Sequence, residues 1–195
     1  MKIEETNELV ERSQLSSGRL LAGLWGWLFD EPKSPLEAVD DWYGYVEPPE
    51  WESGFRKAVF LDFDGVLHRG TSGTLRHREM LEQFLSQWPD LGVVVISDWR
   101  IGDSLQGLKG YFSSSFRDRV FARTGELAPC TQQRQREITD LADRLGISHY
   151  AVLDDDRELY SEAFEPLISP DPSEGITEDI LATLGRRINA WDGEA

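Results

Sequence analysis

Asp62 and Asp64 stand one residue apart, directly after the apolar run Ala58-Val59-Phe60-Leu61 and directly before Gly65. Residues two apart on an extended backbone point to the same side. Two carboxylates so placed repel by about 4 kcal/mol at a separation of ~4 Å and an effective dielectric of ~20. A cation or a shared proton relieves that repulsion, and a hard divalent ion such as Mg²⁺ suits ligands that are all oxygen. Gly65 lets the chain turn where a side chain would crowd a ligand. The run Lys57–Leu61 is unbroken by polar residues after its first position, the pattern of a strand buried on both faces of a parallel sheet. Open α/β sheets form their ligand crevice beyond the carboxyl ends of such strands, so the strand delivers Asp62 and Asp64 to that crevice.

Three more chemical groups stand beside element ends. Leu91–Ile96 is a second apolar run and leads into Ser97-Asp98-Trp99-Arg100, where a small hydroxyl suits an anion without adding charge. Tyr150–Leu153 is a third and leads into Asp154-Asp155-Asp156. Between them, Gln132–Ile138 carries Arg134 and Arg136 and opens a predicted helix that continues through Thr139–Leu145 to a stop at Gly146. The apolar spacing of Leu75, Met80, Leu81, Phe84 and Leu85 predicts an amphipathic helix over Thr74–Trp88. A strand is expected near Arg119–Arg123, and a last helix after Gly175-Ile176-Thr177. Strands alternating with helices read as α/β with a parallel sheet.

Acidic pair, hydroxyl, cation and acidic cluster, in this order, resemble the four motifs of the haloacid dehalogenase (HAD) superfamily of phosphohydrolases. More narrowly, Leu61–His68, Ser97–Arg100, Arg134–Ile138, Leu153–Asp156 and the tail Leu167–Pro172 resemble the HAD domains found alone or fused in RNA-repair proteins. The resemblance implies a three-layer, Rossmann-like fold with a central parallel sheet and a minimal cap. It implies that Asp62 attacks phosphorus to form an aspartyl-phosphate, and that Asp64 acts as general acid and then base. Ser97 and either Arg134 or Arg136 would hold the phosphoryl group; Arg134 is favoured because it lies three residues before Glu137, as in the subgroup. Mg²⁺ would be held by the Asp62 carboxylate, the Asp64 backbone carbonyl, Asp154 and Asp155, with Asp156 as the spare in a run whose register stays open. The second aspartate, Asp64, favours phosphate esters over carbon–halogen bonds. The expected activity is a Mg²⁺-dependent phosphatase, with nucleic-acid or nucleotide phosphates as candidate substrates. The alternative is a binding or regulatory module with a weak site. Metal-dependent nucleases and nucleotide-sugar transferases share the acidic pair but do not call for the full set.

Length and charge bound these readings. A chain of 195 residues buries one sizeable core, here assigned to residues 57–195 as the catalytic domain. Residues 1–56 then form an N-terminal helix and an aromatic, acidic arm or linker, and the candidate docking segment for a protein partner. The run Leu20–Phe29 is too short to span a bilayer, which takes ~20 residues, and follows Glu4, Glu5, Glu8 and Glu11, so no membrane role is expected. The single cysteine, Cys130, allows no intramolecular disulfide and fits the cytoplasm. The net charge is −16, yet residues 101–136 hold six basic against three acidic residues, so a positive stretch could frame the mouth of the site. The chain between Asp64 and Ser97 is taken up by one predicted helix and its connections, which leaves no room for a folded cap.

Overall fold

The computed structural model describes residues 45–52 and 54–191; the apolar run Leu20–Phe29 and the other readings placed on residues 1–44 lie outside them. In chain order the strands are β1 (Tyr45–Glu47), β2 (Glu50–Trp51), β3 (Lys57–Leu61), β4 (Leu91–Val95), β5 (Val120–Arg123), β6 (Glu126–Leu127), β7 (His149–Leu153) and β8 (Leu167–Ile168). The helices are α1 (Arg78–Leu85), α2 (Leu105–Lys109), α3 (Gln133–Leu145) and α4 (Glu178–Trp191). The main sheet has six strands in the order β2-β5-β4-β3-β7-β8. Strands β5, β4, β3, β7 and β8 run parallel, and β2 joins the β5 edge antiparallel. The expected α/β fold with a central parallel sheet is therefore present, with an antiparallel edge strand added.

Two crossovers, β3 to β4 and β4 to β5, step the sheet one way, and the next, β5 to β7, returns across β4 and β3. Parallel crossovers are right-handed in nearly all proteins, so α1 and α2 cover one face and α3 the other. Burial agrees. Val59, Leu61, Val93, Val95, Ala151 and Leu153 share one cluster with Leu81 and Leu85 of α1, Leu105 and Leu108 of α2, and Leu184 and Ile188 of α4. The alternate strand residues Ala58, Phe60, Val94 and Val152 point the opposite way. They are fully buried, as are Ile138 and Leu141 of α3.

Helix α1 is shorter than the apolar spacing predicts. Leu75 sits at φ 45°, in the left-handed region that a helix cannot contain, and the helix begins after His77. Helix α3 ends as expected, with Gly146 at φ 61°. Between β3 and β4 the chain holds α1 and loops, with no folded insertion.

The sheet starts before residue 57. Glu50 and Trp51 pair with Arg123 and Ala122, and Tyr45 pairs with Leu127 in a second, two-stranded sheet of β1 and β6. Charge fixes this edge: buried Arg123 meets Glu50 at 2.8 Å and Glu47 at 3.1 Å, and buried Lys109 meets Glu52 at 2.6 Å. Arg119 donates to the backbone carbonyls of Leu85, Trp88 and Leu91. Lys109, Arg119 and Arg123 are thus spent on structure. Half of the positive stretch that could frame the mouth is an internal clamp.

Candidate active site

The strand register sets the site. Leu61 pairs with both Val95 and Leu153, so the three neighbouring strands end level, and their next residues meet beyond the sheet. The ladder continues past the strands: the Asp62 N–H donates to the Leu153 carbonyl at 2.9 Å and the Ile96 N–H to the Leu61 carbonyl at 3.0 Å. β3 is also where the chain order reverses, the switch point at which such sheets bind ligands.

Asp62, Asp154 and Asp155 each place a carboxylate oxygen within 4.8 Å of the others. Asp62 and Asp154 are buried. Burial first, and the charge of Asp154 second, push the Asp62 carboxyl up to about 7, against Arg134 and a hydrogen bond from Ser97. Burial also raises Asp154, although the Tyr160 hydroxyl donates to it at 2.6 Å and the Asp156 N–H at 2.9 Å. The Tyr160 hydroxyl is in turn raised by its own burial and by Asp154. Asp155 comes in over Gly65. That glycine has φ +64°, and a Cβ built on it would overlap the Asp155 carboxyl. Three carboxylates near one guanidinium, that of Arg134, leave two negative charges, a donor set that fits a divalent cation bound through oxygen. Asp156 is engaged elsewhere, its side chain capping the short helix Arg157–Leu159 by accepting from Glu158 N–H.

Ser97 is buried and donates to Asp62 while its oxygen accepts from the Trp99 N–H at 3.4 Å. Arg134 is buried and feels the charges of Asp154, Asp98 and Asp62, which together outweigh the cost of its burial and hold its pKa above normal. Arg136, two positions on along α3, is exposed; residues two apart on a helix face in nearly opposite directions. The geometry brings Arg134 to the acidic cluster and leaves Arg136 in solvent.

A network that sequence reasoning passed over holds Arg134 in place. Its Nη2 donates to Asp98 at 2.6 Å, and its Nε lies 3.7 Å from Glu137. Glu137, fully buried, also accepts from Arg100 at 2.9 Å, from the Leu127 N–H and from Gln133. Arg100 is buried as well and donates to the Ile96 carbonyl at 2.8 Å and to Asp98 at 3.0 Å. One signal was available: Arg134 and Glu137 are three apart, hence on one helix face. Among the described residues, the Arg134 Nη1 is buried with no hydrogen-bond partner.

Asp64 has its own partners. Its Oδ1 lies 2.7 Å from His68 Nε2, and its Oδ2 accepts from the Trp99 indole N–H at 2.9 Å. The one-turn fold of Phe63–Leu67 that returns His68 to Asp64 is stitched at its far side: Gly65 N–H donates to Gly70, Gly70 N–H to Pro172 and Ile176 N–H to Val66. The tail Leu167–Pro172 therefore braces the loop that carries the acidic pair.

A mostly parallel sheet whose level strand ends present an Asp-x-Asp pair, a hydroxyl, a helix-borne cation and an acidic cluster has the layout of a HAD domain. The chain belongs to the family described as HAD domain in Swiss Army Knife RNA repair proteins, which matches residues 58–181. No curated protein and no solved structure matches the chain significantly. Among the described residues, no helix is long and apolar enough to cross a membrane.

Proposed function

We propose that the protein hydrolyses phosphate monoesters through a phosphorylated Asp62, and that nucleic-acid or nucleotide phosphates are its substrates. The observation that carries this reading is the buried, partnerless Nη1 of Arg134, whose guanidinium feels the charges of Asp154 and Asp62. A buried guanidinium N–H left unmet is costly, and a phosphoryl oxygen seated against Asp62 is the acceptor that would complete it.

The Asp62 carboxylate attacks phosphorus as the bond to the leaving oxygen breaks, and Asp64, protonated at the outset, passes its proton to that oxygen. The products of this step are the free alcohol, phosphorylated Asp62 and an Asp64 carboxylate. Asp64 then takes a proton from water as the water oxygen attacks phosphorus, which frees inorganic phosphate and restores both aspartates. Ser97 and Arg134 hold the phosphoryl oxygens throughout. A Mg²⁺ ion held by Asp62, Asp154, Asp155 and the Asp64 carbonyl would offset the negative charge where the phosphoryl group docks. Support for the substrate class comes from the family's description as a domain of RNA-repair proteins and from the lack of a folded insertion between β3 and β4 that would cap the crevice.

The test is phosphate release with Mg²⁺ from nucleotides, end-phosphorylated RNA and DNA, sugar phosphates and phosphopeptides, run beside Asp62→Asn. Release from nucleic-acid or nucleotide phosphates that disappears in Asp62→Asn is expected. Equal release by the variant would sink the mechanism, and preference for phosphopeptides or sugar phosphates would sink the substrate class.

A further inference from the structure

We propose that His68 and Trp99 are positioning residues that clamp Asp64 for proton transfer to the leaving group, an inference that rests on the phosphatase reading above. A carboxylate held by one bond swings about its side-chain torsions. Asp64 is held by two, one on each oxygen, from groups on different motifs: His68 Nε2 on Oδ1 at 2.7 Å and Trp99 Nε1 on Oδ2 at 2.9 Å. Neither partner is free to drift. His68 is fully buried, and the Trp99 ring is wedged edge-on between Phe63 at 5.6 Å and Tyr111 at 5.2 Å. The Asp64 side chain stays 32 % exposed while its partner His68 is at 0 %, so the clamp leaves part of the carboxyl accessible.

Burial also dictates which way the first bond runs. Among the described residues His68 Nδ1 is buried with no partner. A hydrogen there would be an unmet buried donor, so the ring carries its hydrogen on Nε2 and donates to Asp64. Indole N–H is a donor only. Both contacts therefore donate to the carboxyl, and neither competes for the proton Asp64 hands over. Ser97 caps the short helix Asp98–Arg100 by accepting from the Trp99 backbone N–H, so one short helix places both the phosphate-binding hydroxyl and the clamp.

A clamp for proton delivery and a merely structural contact differ in leaving-group dependence. Nitrophenolate departs without a proton, whereas phenolate, more basic, gains from one. The experiment compares kcat/KM for phenyl phosphate and 4-nitrophenyl phosphate in wild type, Trp99→Phe, His68→Leu and His68→Gln, with Asp64→Asn as reference. This parameter reports steps up to phosphorylation of Asp62 and is blind to later hydrolysis. Trp99→Phe and His68→Leu should lose about tenfold or more on phenyl phosphate and within about twofold on 4-nitrophenyl phosphate, the selectivity of Asp64→Asn in milder form. His68→Gln, which keeps a donor, should recover part of the loss. Equal losses on both esters, or none on phenyl phosphate, would overturn the clamp while leaving the phosphatase reading intact. Failure of the wild type on both esters and on the whole substrate screen would overturn both. If His68→Leu does not fold, Trp99→Phe decides alone, since its ring packing survives.

Discussion

The two sides of the crevice floor handle charge in opposite ways. On one side, Asp62, Asp154 and Asp155 crowd three like charges into a partly buried space, and burial drives the Asp62 and Asp154 carboxyls upward. On the other, Asp98, Arg100, Glu137 and Arg134 alternate in sign and hydrogen-bond one another. The first group is incomplete without a ligand, and the second is nearly self-sufficient. Arg134 belongs to both: its Nη2 and Nε serve the neutral network, its Nη1 is buried without a partner, and its guanidinium feels the charges of Asp62 and Asp154. The contrast predicts that substitutions on the two sides act with opposite sign on stability.

The largest effect is expected on the acidic side and in turnover. Asp62→Asn should lower kcat by about 10⁴-fold or more, yet leave the metal-free protein as stable as wild type or more so, because a repulsive buried charge is gone. A urea melt beside the phosphate-release assay reads both, and a destabilised variant would contradict the contrast. On the neutral side the order reverses. Glu137→Ala strands the Arg100 guanidinium in the interior and should cost roughly 3–5 kcal/mol in the same melt, while Glu137→Gln, which keeps the hydrogen bonds, should cost clearly less.

A smaller effect distinguishes the two sides by ligand. Mg²⁺ at ~100 times its Kd should stabilise wild type by about 2.7 kcal/mol, with the shift reduced in Asp155→Asn and unchanged in Arg136→Gln. Thermal melts with and without EDTA measure it; an undiminished shift in Asp155→Asn would place the ion elsewhere. The smallest effect lies at the sheet edge. Burial tends to raise the Glu50 carboxyl, but the Leu105 N–H and Arg123 outweigh it and hold the group below its usual value. A lowered carboxyl stabilises the fold above its unfolded pKa and loses that contribution as pH falls through the folded one. Glu50→Gln should therefore cost under about 1 kcal/mol at neutral pH, given the partial exposure of the group. The difference should begin to shrink in melts as the pH drops below the ordinary Glu value of ~4.3 and vanish once it passes below the folded one.

How much of this was legible depended on whether the signal was local. The strands β3, β4 and β7 announce themselves as apolar runs, and the groups that follow them, Asp62, Ser97 and Asp154, were legible with them because strand ends sit at a fixed place in this architecture. The edge strand β2 was not, since Glu50 and Trp51 are too few to show a period; their cue is charge complementarity with Arg123, distant in the chain. The start of α1 was misread because helical spacing says nothing of a left-handed Leu75. Within Asp154-Asp155-Asp156 the register was undecidable from identical residues. In the structure Asp156 is engaged in a cap, accepting from Glu158 N–H, and a glycine far upstream lets Asp155 approach. His68 closes the motif Leu61–His68 with no role assigned to it there, and only the fold of Phe63–Leu67 brings it back onto Asp64.

The register that levels the strand ends also orders the site in time. β3 takes both of its neighbours from later in the chain, and its pairing of Lys57 with His149 closes a much longer loop than its pairing with Leu91. Closing longer loops costs more chain entropy, and distant parallel pairings come slowly. On a ribosome, β3, β4 and β5 emerge before Asp154 and Asp155 do, so the crowded carboxylates meet last, once a frame exists to hold them against their own repulsion.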